Sequence, residues 1–268
     1  MPEYPLETPL ERFIPPPAGD EVVIWRYMDF TKYVALLDTK ALFFSRVSRL
    51  DDPFEGSFPA TQPPLQRILE MLPPGAVPPG SVIHMSPGLE RTWEWIRQWA
   101  LVSCWHASPH ESAAMWRLYA SSDLAVAVRS TVGRLRRALG TPPPAEPGFM
   151  AKDEYLIGMI EYIDFETGLI PSGSFASQFF RKHNSFEHER ELRVLRLEYP
   201  MKGGTADREL KPPDAGRGIP VDLANLVEAV FVAPQAPSWY ASLVESVAAR
   251  YGLAVTPTQS QLGSAPLY

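Results

Sequence analysis

The stretch VVIWRYMDFTKYVALLDTKALFFSRV, residues 22–47, carries the pattern that decides the fold. Residues 22–27 form a short apolar run that predicts a buried strand ending at a polar residue. Residues 29–39 place apolar side chains at helical spacing behind Asp29, a preferred N-cap residue. Residues 41–47 return to strand character. This stretch therefore predicts a strand, a helix and a second strand in immediate succession.

The same mixture of strands and helices continues along the chain. Strands are predicted at 101–107, 124–131 and 191–199, and helices at 111–122 and 175–186. The strands are separated by irregular lengths, and neither G-x-G-x-x-G nor G-x-x-x-x-G-K-[ST] occurs. A doubly wound nucleotide-binding sheet would show regular alternation and a glycine-rich first turn. We therefore expect an α+β fold with a split or strongly bent mixed β-sheet flanked by helices.

Composition is that of an ordinary soluble globular protein. The 268 residues are 45% hydrophobic and carry a net charge of −6, which argues against a general nucleic-acid coat protein. A single cysteine, Cys104, excludes an intrachain disulfide and indicates a reducing compartment. The first residues lack the pattern of a secretory signal, and no apolar run is long enough to span a membrane. We expect a cytoplasmic protein with no membrane partner, an N-terminal extended segment at 1–18 and a single α+β domain at 19–268.

A pair of glutamates marks the start of a late strand, in FEHERELRVLR at 186–196. In an extended segment residues i and i+2 point to one face, so Glu189 and Glu191 are expected to face the same cleft. Two close carboxylates suit chemistry in which positive charge develops on a sugar. One holds a ribose hydroxyl and stabilises an oxocarbenium-like centre, while the other orients the nucleophile. The alternative is a solvated strand end paired with Arg190 or Arg193.

An arginine ends the first strand. The planar fork of Arg26 suits bidentate binding of a diphosphate or a carboxylate. The alternative is a surface arginine paired with Asp29. Sequence alone leaves both interpretations open.

The central strand ends in polar and aromatic residues. Ser103 and Trp105, with Trp116 and Tyr119 from the following helix, could line a pocket for a flat ring. For Trp116 a place in the core is the favoured alternative. Cys104 is a poor candidate nucleophile, because no neighbour that would lower its thiol pKa is visible.

An acidic loop, RLDDPFEG, contains Asp51, Asp52 and Glu55. These carboxylates could bind a divalent metal, as in a nuclease. We favour an Asp-Pro turn closed by a loop carboxylate. The histidines show no zinc-binding spacing, so no metal is expected.

Several stretches together resemble a widespread bacterial domain family of unknown function. They are ALFFSRVSRLDDPFEG, VSCWHASPHESAAMWRLYAS with LAVAVR, and ERELRVL, and the resemblance covers residues 22–257 in order. The family name itself implies no activity.

WRYMDFTKYVALLDTKALFFS also resembles the opening of ADP-ribosyltransferase-like domains. That resemblance implies the same fold and NAD as a substrate. Arg26 would match the residue that holds the diphosphate or ribose of NAD. Ser103 would match the central serine, with Ser45 as a competitor, although S-C-W stands here in place of S-T-S. Glu191 would match the catalytic glutamate, and Glu189 the residue two before it.

The resemblance implies a chemistry for the cleft. Trp105 or Tyr27 would stack on nicotinamide, and Tyr119 would lie in the same pocket. Glu189 would orient the acceptor, which is a macromolecule or water. A toxin or phage-defence effector with a partner protein fits such an activity. A non-catalytic ligand- or partner-binding module and a metal-dependent nuclease remain the alternatives.

Overall fold

The computed structural model describes residues 19–60, 87–119, 122–145, 147–151, 154–168, 176–212 and 214–263. The extended segment expected at 1–18 lies outside the described residues, and the single domain at 19–268 stays a prediction. No helix within these ranges is long and apolar enough to cross a membrane.

The strands are short, apart from one long strand late in the chain. They are β1 Val23–Asp29, β2 Ala41–Arg46, β3 Ala100–Ala107, β4 Ala125–Thr131, β5 Phe149–Ala151, β6 Leu156–Met159, β7 Glu161–Ile163, β8 Arg181–His183, β9 Glu191–Lys202, β10 Thr205–Ala206, β11 Gly216–Pro220, β12 Ala229–Val232 and β13 Thr258–Gln259.

The α-helices are α1 Phe30–Thr39, α2 Pro87–Trp99, α3 Ala113–Tyr119, α4 Val132–Leu139, α5 Leu223–Leu226 and α6 Tyr240–Arg250. The 3-10 helices are Val47–Arg49, Ser177–Phe180, Asn184–Glu189 and Gln261–Gly263. The helix α1 begins where the sequence predicts it, because the side chain of Asp29 accepts a hydrogen bond from the amide of Lys32 at 2.8 Å.

Eleven of the described strands form one mixed sheet. Its main path runs β10-β9-β3-β1-β4-β12-β13, with β2 between β3 and β11, and with β5 and β6 on β9. The β12–β13 pair is parallel and the other pairs of this sheet are antiparallel. The strands β7 and β8 form a separate parallel ribbon.

The sheet is split along one edge of β3. Near the end of β3, Ala107 and His106 pair with β1. Near its start, Leu101 and Val102 pair with β2. Between these junctions, residues 103–105 have no strand partner on that edge in the described part of the chain. The predicted α+β fold with a split mixed sheet flanked by helices is confirmed.

The largest core cluster lies on the face of the sheet covered by α1, α4 and α6. Seven of the described strands contribute buried residues to it, among them Ile24, Trp105 and Val194. Two smaller clusters cover the other face, one around Trp25 and Trp116 and one around residues 176–180 and 195–197. The Trp116 side chain is thus a core residue, as expected.

The helix predicted at 175–186 is wrong over the described residues 176–186. Two short 3-10 helices flank β8 there. Arg181 and Lys182 in β8 are both buried, and each forms ion pairs. The pairing of β8 with β7 places Arg181 beside Glu161, and the neighbouring Lys182 side chain reaches Glu189.

Candidate active site

The split in the sheet contains a cavity of about 730 Å³. Its walls come from β1, α1, β2, the loop at 49–55, β3, α3 and the segment 182–191. Small-molecule and cofactor sites typically occupy roughly 300–1,000 Å³. The cavity is therefore large enough to be a binding site for a ligand of cofactor size.

Arg26 bridges the split from β1. Its Nη1 donates to the hydroxyl of Ser103 on β3, and its Nη2 donates to the carbonyl of Phe43 on β2 at 3.0 Å. The guanidinium carbon lies 5.7 Å from the ring centroid of Trp105. Burial lowers the pKa of Arg26, but a guanidinium remains charged in proteins. The alternative pairing with Asp29 is not found, because Asp29 pairs with Lys32.

Glu189 and Glu191 both line the cavity. Only Glu191 lies in a strand, because Glu189 ends a 3-10 helix and Arg190 between them has a left-handed φ of 42°. The extended conformation expected from Glu189 to Glu191 is therefore wrong. The two carboxylates nevertheless converge on the ammonium of Lys182, at 2.6 Å from Glu189 and 3.5 Å from Glu191.

The acid pair belongs to a buried ion cluster. Glu55, Lys182 and Arg193 are 2%, 6% and 0% exposed. Arg193 lies 2.6 Å from Glu191 and 2.5 Å from Glu55, and Lys182 lies 3.3 Å from Glu55. The pairing of Glu191 with Arg193 was one of the predicted alternatives, but the strand start is buried and not solvated.

The charges of the cluster follow from its geometry. Burial opposes ionisation of Glu191, but Arg193 and Lys182 outweigh it and hold the pKa of Glu191 below its usual value. Burial raises the pKa of Glu55 in spite of the same two cations. Burial also opposes the charge of Lys182, yet the surrounding glutamates raise its pKa. At neutral pH the cavity therefore presents an anionic Glu191 beside a cationic Lys182.

The predicted aromatic residues occupy different parts of the cavity wall. Trp105 is buried beneath Arg26. Tyr27 is also buried, and its ring contacts Trp116 edge-on at 5.0 Å between centroids. Tyr119 is 45% exposed, and its hydroxyl lies 3.4 Å from Glu189. Tyr119 is thus the most accessible of the three predicted rings.

The two candidate serines have different positions. Ser45 on β2 is half-buried and lines the cavity. Ser103 is buried and stands outside the set of lining residues, where its hydroxyl accepts from Arg26. Cys104 faces the cavity instead, and burial together with Glu191 raises the pKa of its thiol. A neutral thiol agrees with the expectation that Cys104 is a poor nucleophile.

The acidic loop does not present its carboxylates to a common point. Asp52 accepts from the amide of Phe54 at 2.9 Å, as expected for a closed turn. Glu55 points into the ion cluster. The described residues contain no group of three or more histidine, cysteine, aspartate or glutamate residues arranged to hold a metal ion.

Comparison with known proteins gives a distant structural likeness. No family model matches the chain, and no curated protein sequence matches it. Among solved structures, Thermus sp. 2.9 DarT in complex with ADP-ribosylated ssDNA matches with a TM-score of 0.37 and 10% sequence identity. The match covers 90% of this chain and 94% of that chain. A likeness this distant indicates no activity.

Proposed function

We propose that the protein is an NAD-dependent ADP-ribosyltransferase-like enzyme that transfers ADP-ribose to a macromolecular acceptor or to water. One observation carries the proposal. Arg26 near the start of the chain and the pair Glu189 and Glu191 near its end line the same cavity. Their convergence is what the resemblance in sequence requires.

The reaction would begin with the loss of nicotinamide. The bond between the ribose C1′ and the pyridinium nitrogen breaks, and its electron pair leaves with neutral nicotinamide. Positive charge then develops on the ribose. An anionic Glu191 can hold a ribose hydroxyl and stabilise this charge, in a buried site where such an interaction is strong.

The acceptor would then attack C1′. Its nucleophilic atom forms the new bond and loses its proton, for which Glu189 at the more open side of the cluster is the proposed acceptor. With water as the nucleophile the products are ADP-ribose and nicotinamide. Arg26 would bind the diphosphate, and Trp105 or Tyr119 would contact a ring of NAD.

A non-catalytic binding module is the second candidate function. The observation that favours it is the extensive pairing of Glu191 with Arg193 and Lys182, which would also suit a purely structural ion cluster. The two functions differ in whether NAD is cleaved.

The proposal is tested by incubating the protein with NAD, alone and with protein or single-stranded nucleic-acid acceptors, and measuring nicotinamide release. We expect release by the wild type and a loss of at least about 100-fold in Glu191→Gln. Glu228→Gln is the matched control, because it also removes one carboxylate from an ion pair, with Arg129, but lies outside the cavity. No release by the wild type, or equal rates for the two variants, would overturn the proposal.

A further inference from the structure

Lys182 is the centre of the ion cluster. It lies in the short strand β8, and its ammonium reaches three carboxylates, two from the segment 182–191 and one from the loop at 49–55. These are Glu189 at 2.6 Å, Glu55 at 3.3 Å and Glu191 at 3.5 Å. The ring of Phe186 lies 4.6 Å from the same ammonium. A lysine ammonium has three donors, which matches three acceptors.

The contacts leave one oxygen of each cavity glutamate weakly engaged. Glu189 has Oε2 at 2.6 Å from Lys182, whereas its Oε1 lies 3.4 Å from the Tyr119 hydroxyl. Glu191 has Oε1 at 2.6 Å from Arg193, whereas its Oε2 lies 3.5 Å from Lys182. The thiol of Cys104, a weak donor, also hydrogen-bonds this carboxylate. Contacts at 3.4 to 3.5 Å are at the weak end of hydrogen bonding. These two oxygens are therefore the ones that a ligand in the cavity can use.

We propose that Lys182 is a positioning residue that holds Glu189 and Glu191 with one oxygen of each turned toward the substrate. This role rests on the proposed function. Two carboxylates without a cation between them repel each other. Lys182 removes that repulsion and also fixes the rotation of Glu189, whose other contact among the described side chains is the long one to Tyr119. The acceptor-side and ribose-side carboxylates are thereby kept at a set separation.

The decisive variant is Lys182→Arg, which keeps the charge but replaces a compact ammonium by a longer planar fork. We expect kcat for nicotinamide release to fall by about 10- to 100-fold, as for other residues that orient a catalytic group. KM for NAD should change little, because the NAD-binding contacts through Arg26 remain. The control is Arg181→Lys, a charge-conserving exchange in the adjacent ion pair with Glu161 at 2.7 Å, in which Arg181 is buried and Glu161 is exposed. Neither member of that pair lines the cavity, so wild-type kcat is expected.

A double-mutant cycle separates positioning from a general structural role. If Lys182 acts through Glu189, then Glu189→Gln costs much less in the Lys182→Arg background than in the wild type. Should Lys182→Arg fail to fold, the charge-balanced pair Lys182→Met with Glu55→Gln replaces it, with the same fall in kcat expected. If the wild type is active, either of two results overturns the positioning role alone. One is an unchanged kcat in the Lys182 variant, and the other is a fold-loss in kcat of the double variant equal to the product of the two single losses. A wild type that releases no nicotinamide overturns it together with the proposed function.

Discussion

Replacing Arg193 by methionine removes the guanidinium that joins Glu55 to Glu191. Arg193 is fully buried, with ion-pair contacts of 2.6 Å to Glu191 and 2.5 Å to Glu55 and a hydrogen bond of 2.7 Å to the carbonyl of Phe179. Methionine can fill much of the space, but it removes one of the two cations that contact both buried carboxylates and leaves Lys182 as the other. Removing one partner of a buried ion pair typically costs about 3–5 kcal/mol. We expect a loss of this size in the free energy of unfolding.

The loss is measured by denaturant or thermal unfolding near pH 7. For a chain of this size each kcal/mol lowers Tm by about 2–4 °C, so Tm should fall by roughly 6–20 °C. Arg129→Met is the control, because Arg129 and Glu228 are 3.7 Å apart and both side chains are 34% exposed. Such a pair contributes about 0–1 kcal/mol. A loss in Arg193→Met no larger than that of the control would refute the reasoning.

The difference in free energy of unfolding between the wild type and Arg193→Met should become smaller at acidic pH. The folded pKa of Glu191 lies below its usual value in the wild type. Its contribution is therefore present above the unfolded pKa of about 4.3 and is lost as the pH falls through the folded value. In the variant Glu191 lacks the guanidinium, so its folded pKa rises and protonation relieves the buried charge at a higher pH. Unfolding measured near pH 4 and near pH 7 checks this, and a difference that grows in acid would contradict it.

Three further variants test local features. Gly56→Ala should lose about 1–3 kcal/mol, because Gly56 has φ of +70° and an added Cβ would lie 2.9 Å from the ring of Phe179. The control Gly203→Ala, at φ of +58° in open space, should lose less, and equal losses would count against the steric argument. Asp29→Ala removes a helix N-cap, and we expect about 1 kcal/mol less stability in denaturant unfolding; no change would show the cap to be dispensable. Arg26→Lys should weaken NAD binding in calorimetry by about tenfold or more through loss of the fork, and unchanged affinity would remove Arg26 from the site.

Local features of the fold could be predicted from the sequence because their causes are local. The helix α1 follows from its apolar spacing and from the Asp29 side chain, which caps it in the structure. The strand start at Glu191 follows from the alternation after it. The convergence of Arg26 with the acid pair came from resemblance, since spacing along the chain does not show which strands become neighbours.

The ion cluster could not be predicted in the same way. The sequence predicts a turn at Glu55 and a helix at Lys182, whereas both side chains point inward and form ion pairs with residues distant in sequence. Long-range ion pairs produce no periodic signal. The available signal in the sequence is a lysine two residues after the apolar pair Phe179 and Phe180. Ser103 is predicted as a site residue from its resemblance to the central serine of ADP-ribosyltransferase-like domains, but the neighbouring Cys104 lines the cavity. Alternation separates the two faces of a strand and does not tell which face meets a cavity.

The short junction between β1 and β3 has a mechanical consequence. The two strands pair at Ile24 with Ala107 and at Trp25 with His106 before they diverge. Few backbone hydrogen bonds between β1 and β3 thus oppose a rotation of the part of the sheet on the β1 side relative to the part on the β3 side. Across the split, the side chain of Arg26 on β1 donates hydrogen bonds to Phe43 on β2 and to Ser103 on β3. These bonds help to set the distance between the strands. A ligand that binds Arg26 would break these two hydrogen bonds and change the distance between the strands on either side of the cavity.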